Sequence, residues 1–472
     1  MFIFVIIIVL ALTIGAINYP DSDLGWHLYL GKTINESHHL IQNFVGYNSF
    51  SSLQIIDHEW LLDYLIYHLE HTFGYFSFVI LTFAVISLAL WFIYQVAKHK
   101  SNSLCAVFIT LVLILPISNF FRIFRAQFLL LLATAGLVYV KTFVKDWRWR
   151  YFIYFFIFLL GNNLHGGFLI LTLIPILLEL DFSRWQRFII LIGVLLLALS
   201  LNPYGLEYWR LVLNYQQNTY YLTHIAEWIP LYRKPYNWGT LAAPLALFLI
   251  LLLFNRNWQK QKLGNAILLL IFLVVSVKAR RMLPIFMILA APDASLGLSE
   301  LFQSLRASKK FYYVPASIIF LVIFSYFTFA IFSAGTFSSN PYTKNLDYPI
   351  SALNFLSQNQ PQSGNILNYY AWGGFQLWTH PELKVFIDGR GPQTEISPGI
   401  SILEEYNKFF QKNKSLTQSK LDQYNITDVL MPASAKIEGV DNQAQNLINC
   451  LKNNPGWKIA YQDKVAIVFI RK

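Results

Sequence analysis

The chain has 472 residues and a mass of 54.7 kDa, of which 56% are hydrophobic, 17% aromatic and only 13% charged. A soluble domain carries roughly 25% charged residues, so a water-soluble enzyme and a disordered chain are both excluded; a mean hydropathy of +0.45 points to a helical multi-pass membrane protein. Continuous apolar runs exclude an outer-membrane barrel, whose strands alternate in polarity, and the net charge of +11 follows loop position rather than a nucleic-acid-binding face.

The first apolar run, 2–17, lacks a charged n-region and a small-residue cleavage site, so it reads as an uncleaved span. Further runs cover roughly 75–97, 104–121, 126–144, 151–162, 166–180, 188–201, 241–254, 263–277, 283–298 and 311–334. They predict about 11 spans. Basic residues mark one alternating set of loops: Lys98 and Lys100; Lys141, Lys145, Arg148 and Arg150; Arg184 and Arg187; Arg256, Lys260 and Lys262; Arg306, Lys309 and Lys310. The positive-inside rule makes that set cytoplasmic. It puts the N-terminus inside, and it puts a long first loop (18–74), a second loop (202–240) and the tail outside. Composition divides the chain into a membrane domain, 1–334, and a nearly neutral tail, 335–472, without a run long enough to span. Cys105 and Cys450 should lie in different compartments, so no disulfide is expected.

The first outer loop is the densest polar region. Asp21 and Asp23 stand just after the first span, and His27, four residues beyond Asp23, shares its helical face. Asp57-His58-Glu59-Trp60 opens a second amphipathic helix. As plain structure, Asp23 and Asp57 are N-caps and Glu59 lies in a first turn; a carboxylate there can equally act as a base or bind a cation. Asn162-Asn163-Leu164-His165-Gly166-Gly167 reads as a tight hairpin between spans, Asn202-Pro203-Tyr204-Gly205 as a turn, and Glu227 as an isolated acid. Arg122, Arg125, Lys278, Arg280 and Arg281 place cations on the outer side against the inside rule. They either snorkel to headgroups or clamp a phosphate.

The tail reads as a small α/β domain. Strands are predicted at 365–369, 384–388, 428–431 and in a hairpin of 457–461 with 465–470; helices are predicted near 349–358, 373–379, 401–412 and 440–453. Gly373 and Gly374 open a helix, and Asp388-Gly389 forms a turn.

Asp21-Ser-Asp-Leu-Gly-Trp-His-Leu, Asp57-His-Glu-Trp-Leu, Asn163-Leu-His-Gly-Gly, Asn202-Pro-Tyr-Gly, Glu227-Trp, Arg281 and the Trp372-Gly-Gly…Phe-Ile-Asp-Gly-Arg390 tail together resemble a group of bacterial multi-pass proteins described as GT-C-type glycosyltransferase-like. More distantly, the layout is similar to the oligosaccharyltransferase catalytic subunit and to protein mannosyltransferase-type enzymes. Tyr369-Tyr-Ala-Trp-Gly373 matches the former's acceptor motif, but Ala371 replaces its acceptor-reading Asp, so sequon recognition is not implied. The resemblance implies an α-helical multi-pass GT-C-like fold with an extracytoplasmic α/β domain, in a bacterial cytoplasmic membrane. It implies transfer of a sugar, with inversion, from a polyprenyl-phosphate-linked donor to a glycan, lipid or protein acceptor, and no nucleic-acid partner. Asp23 would be base or orienter, with Asp21 and Glu59 as second choices. Arg281, Arg280 and Arg125 would hold the donor phosphate. Glu227, His165, Trp372, Asp388 and Arg390 would position the acceptor. Any metal would be a divalent cation such as Mg or Mn; no second Asp-x-Asp motif supplies its ligands. A non-catalytic glycolipid-binding scaffold and a glycolipid flippase or polysaccharide polymerase are the alternatives.

Overall fold

The structure is a computed structural model that describes residues 3–306 and 348–472, apart from 4, 11–21, 123–124, 218–224, 226–227, 234–240, 256–262, 360–364, 412–413 and 434–441. Asp21, Glu227 and the expected span at 311–334 therefore lie outside the described residues, as does most of the run 2–17. The chain forms two compact units: one of residues 1–18, 75–212 and 219–339, the other of residues 19–74, 213–218 and 340–472.

The first unit is helical. Three of its described helices are long and apolar enough to cross a membrane: Phe76–Lys100, Phe182–Ser200 and Arg280–Ser304. Shorter apolar helices cover Ser103–Ile117, Phe128–Phe143, Phe168–Leu178, Ala243–Phe254 and Leu263–Lys278. The Leu283–Arg306 helix is the hub, with Leu283, Phe286, Met287, Ala290, Ala291 and Ala294 all buried in the main apolar cluster. Gly297 sits so close to the Leu251 carbonyl that a Cβ would lie 1.9 Å from its oxygen, so a glycine is needed for that helix crossing.

In the second unit the first loop and the tail fold together. A four-stranded sheet runs in the order β1-β4-β6-β5, with β1 (Asn365–Asn368), β4 (Ile426–Pro432), β5 (Trp457–Gln462) and β6 (Ala466–Arg471). β1 and β4 are parallel; the other pairs are antiparallel. Hydrophobic residues of β1, β4 and β6 (Ile366, Leu430, Val468) pack with Leu353 and Leu356 of the Ile350–Asn359 helix. Asp463 closes the β5–β6 turn by accepting from the amides of Val465 and Ala466, both at 2.7 Å.

The predicted strand at 384–388 does not form. Its backbone is taken by the Asn368 side chain instead: Asn368 Oδ1 accepts from Phe386 N at 2.8 Å and Ile387 N at 3.2 Å, while Nδ2 donates to Ile387 O at 2.8 Å. A single parallel bridge, Tyr47 with Val385, joins this segment to the first loop. A short antiparallel pair, Glu395–Ser397 with Ile400–Ser401 (β2 and β3), and a helix at Lys414–Gln423 were not foreseen.

Candidate active site

The Leu24–Ser37 helix crosses the Gly373–Thr379 helix through two glycines: a Cβ on Gly25 would lie 2.1 Å from the Gly374 carbonyl oxygen, and one on Gly374 would lie 2.4 Å from that of Ser22. The Trp-Gly-Gly motif of the tail is thus the seat of the first-loop helix. Trp372 itself is buried in the apolar core of the tail and meets Tyr369 edge to face. It contributes packing there.

Asp23 stands at the N-cap position of the Leu24–Ser37 helix without a side-chain cap hydrogen bond. Its carboxylate lies over Gly389, where a Cβ would come 2.2 Å from Asp23 Oδ1 and 2.5 Å from Trp26 Nε1. Only glycine leaves room there for the acid and the indole N–H. Trp26 is buried, and its Nε1 has no hydrogen-bond partner among the described residues.

One turn on, His27 bridges two acids of the Trp60–Phe73 region. Its Nδ1 is 2.6 Å from Asp63 Oδ1 and its Nε2 is 3.4 Å from Glu59 Oε2. His58 Nε2 is 3.6 Å from the other Glu59 oxygen. Asp57 Oδ1 accepts from Glu59 N at 3.1 Å, so Asp57 does stabilise the helix start, but Glu59 occupies the N-cap position rather than the first turn. Asp57, Glu59 and Asp63 are all buried. Burial pushes the Glu59 carboxyl up to about 8; His27 opposes this, and Asp63, Asp57 and Asp23 reinforce it. Burial likewise raises Asp57 and Asp63 well above the usual carboxylate range. At neutral pH Glu59 is mainly protonated. Desolvation by the protein interior is the dominant cause in each case.

Asp388 and Arg390 are buried and bound to each other, Nη2 to Oδ2 at 2.7 Å. They also tie down the first loop: Tyr47 donates to Asp388 Oδ1 at 2.7 Å, Arg390 Nη2 donates to Val45 O at 3.1 Å, and the guanidinium lies 4.8 Å from the Tyr47 ring centroid. Arg390 also lowers the pKa of Asp57 and Asp63 electrostatically. The pair is placed to hold the loop and bias its acids.

The other expected site residues belong to the first unit. Arg281 lies over Trp228, 4.6 Å from the ring centroid. Arg280 Nε donates to Ile229 O at 3.0 Å and Nη2 to Arg233 O at 3.3 Å. Both arginines thus engage the segment that follows Glu227. Arg125 is half-buried in the short turn before the Phe128–Phe143 helix. His165 is buried in the expected hairpin, its Nδ1 accepting from Gly167 N at 2.8 Å. The amides of Asn162, Asn163 and Asn202 lace this hairpin to the next turn, through Leu199 O, Leu201 O and Asn162 O respectively.

His27 and Asp63 were not singled out as site residues. His27 was read only as sharing a face with Asp23, and the signal for Asp63 was an acid among the apolar residues of the first turns of its helix. Among the described residues no three His, Cys, Asp or Glu side chains are arranged to hold a metal ion; His27 already occupies the space between Asp63 and Glu59.

No protein-family model matches the sequence, and a search of curated proteins finds no match. Solved structures do match. The oligosaccharyltransferase AglB of Archaeoglobus fulgidus, in complex with an inhibitory peptide and a dolichol-phosphate, is 13% identical with a TM-score of 0.61, over 100% of this chain and 74% of that one. ArnT of Cupriavidus metallidurans, bound to undecaprenyl phosphate, is 11% identical with a TM-score of 0.56, over 99% and 97%. The mycobacterial arabinofuranosyltransferase AftD is 13% identical with a TM-score of 0.57, over 99% of this chain and 41% of that one. The fold is therefore that of the GT-C-type membrane glycosyltransferases: a multi-pass helical membrane unit with a small C-terminal sheet.

Proposed function

We propose that this protein is a membrane glycosyltransferase that moves a sugar from a polyprenyl-phosphate-linked donor to an acceptor at the extracytoplasmic face. The observation that carries the reading is the set of acids and His27 gathered by the first loop, on a fold whose solved examples include transferases bound to lipid phosphates. Buried titratable groups with displaced pKa values mark candidate functional sites.

Asp23 is the proposed base. Of the described first-loop acids considered for that role, it is the more exposed and Glu59 is buried. The acceptor oxygen or nitrogen attacks the anomeric carbon, its proton passes to Asp23, and the bond from that carbon to the phosphate oxygen breaks. Attack from the face opposite the leaving group inverts the centre. Trp26 Nε1 is available to donate to the acceptor or to the sugar. The lipid phosphate leaves as an anion; Arg281 is proposed to stabilise it, aided by Arg280 and Arg125. The Asp63–His27–Glu59 chain is assigned a supporting role: it fixes the His27 ring and keeps a neutral acid near Asp23.

The localisation that goes with this reading is a bacterial cytoplasmic membrane, N-terminus inside and tail outside. The test is co-purification from mild detergent with lipid mass spectrometry. A polyprenyl-phosphate sugar retained by Asp23→Asn, lost with Arg281→Ala and depleted in the wild type is the expected result. Equal retention by wild type and Asp23→Asn would leave a binding or flipping protein.

A further inference from the structure

We propose that the first unit carries a second lipid site, an anionic-phospholipid groove between the Trp147–Leu164 and Trp185–Ser200 helices, at the end where the basic loops lie. A cavity of about 280 Å³ opens there, floored by Tyr151, Phe155, Ile190 and Val194 and almost free of polar surface. That volume suits a stretch of one acyl chain rather than a whole lipid.

Its mouth is cationic. Arg148 and Arg187 both lie near the Trp147 ring, at 5.8 and 5.3 Å from its centroid. One indole, from the first residue of one helix, therefore gathers a guanidinium from each helix. Neither guanidinium has an ion-pair partner among the described residues. Nearby, by contrast, Arg150 and Lys141 both bind Glu179, at 2.7 and 2.8 Å. Trp149 and Trp185, in the first turns of the same two helices, are exposed, as expected of an aromatic belt at headgroup depth. An apolar slot, an interfacial belt and two spare guanidiniums match a phosphodiester headgroup with one chain below it. Neutral lipids would satisfy the slot but not the arginines. The site is independent of the proposed transfer reaction and uses none of its residues.

The full-length protein in mild detergent is offered equal amounts of palmitoyl-oleoyl phosphatidylglycerol and palmitoyl-oleoyl phosphatidylcholine, and retained lipids are counted by native mass spectrometry. The wild type should hold one phosphatidylglycerol in preference by roughly 30-fold, since each basic residue near a headgroup adds a few-fold. Arg148→Gln with Arg187→Gln should abolish the preference. Val194→Trp, which fills the slot and leaves the arginines, should release the lipid without lowering the melting temperature. Equal retention of the two lipids by the wild type would overturn the proposal. So would undiminished phosphatidylglycerol on Val194→Trp, or displacement of the lipid by millimolar glycerol 3-phosphate, which would mean a headgroup site without a groove.

Discussion

Two sets of acids, one in each unit, are partnered in opposite ways. In the helical unit each is met by full cations: Asp293 takes Lys100 at 2.7 Å and Asn265 at 3.2 Å, and Glu179 takes Arg150 and Lys141. In the loop-and-tail unit, Asp63 and Glu59 share His27, and Asp57 takes a backbone amide. Asp57 Oδ2 and Asp63 Oδ2 have no hydrogen-bond partner among the described residues. A carboxylate paired with lysine or arginine has its charge met inside the protein and serves structure. The acids around His27 are instead pushed upward by burial, and buried acids displaced in this way mark a candidate site for chemistry. The same unit also contains two acids paired with full cations, Asp388 with Arg390 and Glu405 with Lys408 and Lys420, so the contrast lies between roles and not merely between units.

The contrast can be broken most severely at Asp23. Asp23→Asn should lower sugar transfer by roughly 10²–10⁴-fold, the usual contribution of a general base, with the melting temperature unchanged. An active Asn variant would remove Asp23 from the chemistry. Arg390→Leu should act the other way, on stability. It strands Asp388 as a buried charge at about 3–5 kcal/mol, seen as a large drop in melting temperature and protease cleavage of the tail. Lys100→Met tests the pair in the helical unit. Its Lys is 37% exposed, so water can take over part of the partner's solvation; the expected loss is about 1–2 kcal/mol, below the range for fully buried pairs. A larger loss there than at Arg390 would reverse the ranking of the two pairs.

The pH dependence of stability sharpens the comparison. Glu59 titrates at about 8 when folded and near 4.5 otherwise. Its folded pKa is raised, so its contribution to stability is fully present below about 4.5 and is lost as pH climbs through about 8. Asp57 and Asp63 shift in the same direction. Melting temperature should therefore fall from pH 5 to pH 9, and Glu59→Gln, which mimics the neutral acid, should flatten that fall and keep most activity at pH 7. A melting temperature that rises over this interval, or a Glu59→Gln variant as inactive as Asp23→Asn, would mean that Glu59 works ionised.

Much of this was legible in the chain. Apolar runs located the helices, and the strands at β1, β4, β5 and β6 followed from short β-branched and aromatic stretches between turn residues. The hairpin at Asn162–Gly167 and the turn at Asn202–Gly205 were readable from their amide and glycine content. The 384–388 segment was not, because a strand is made by its partner and here a side chain, Asn368, took the partner's place. Trp372, Asp388 and Arg390 read as acceptor-positioning residues from the resemblance, and their burial, at 3%, 0% and 3% exposure, was not readable from the motif.

Sequence alone determined the class: composition and apolar run length mark a chain that prefers lipid, since transfer free energy depends on the residues and not on their neighbours. It also determined that the first loop holds the acids. Tertiary structure decided which of them gather around His27 and are pushed upward by burial, because burial and distance set a pKa and neither is local. The glycines show the division plainly. Along the chain Gly25 is one residue of a motif, Gly374 a helix start and Gly389 half of a turn, and only the approach of a loop helix to a tail more than 300 residues away makes them the contacts that set Asp23 beside Trp26.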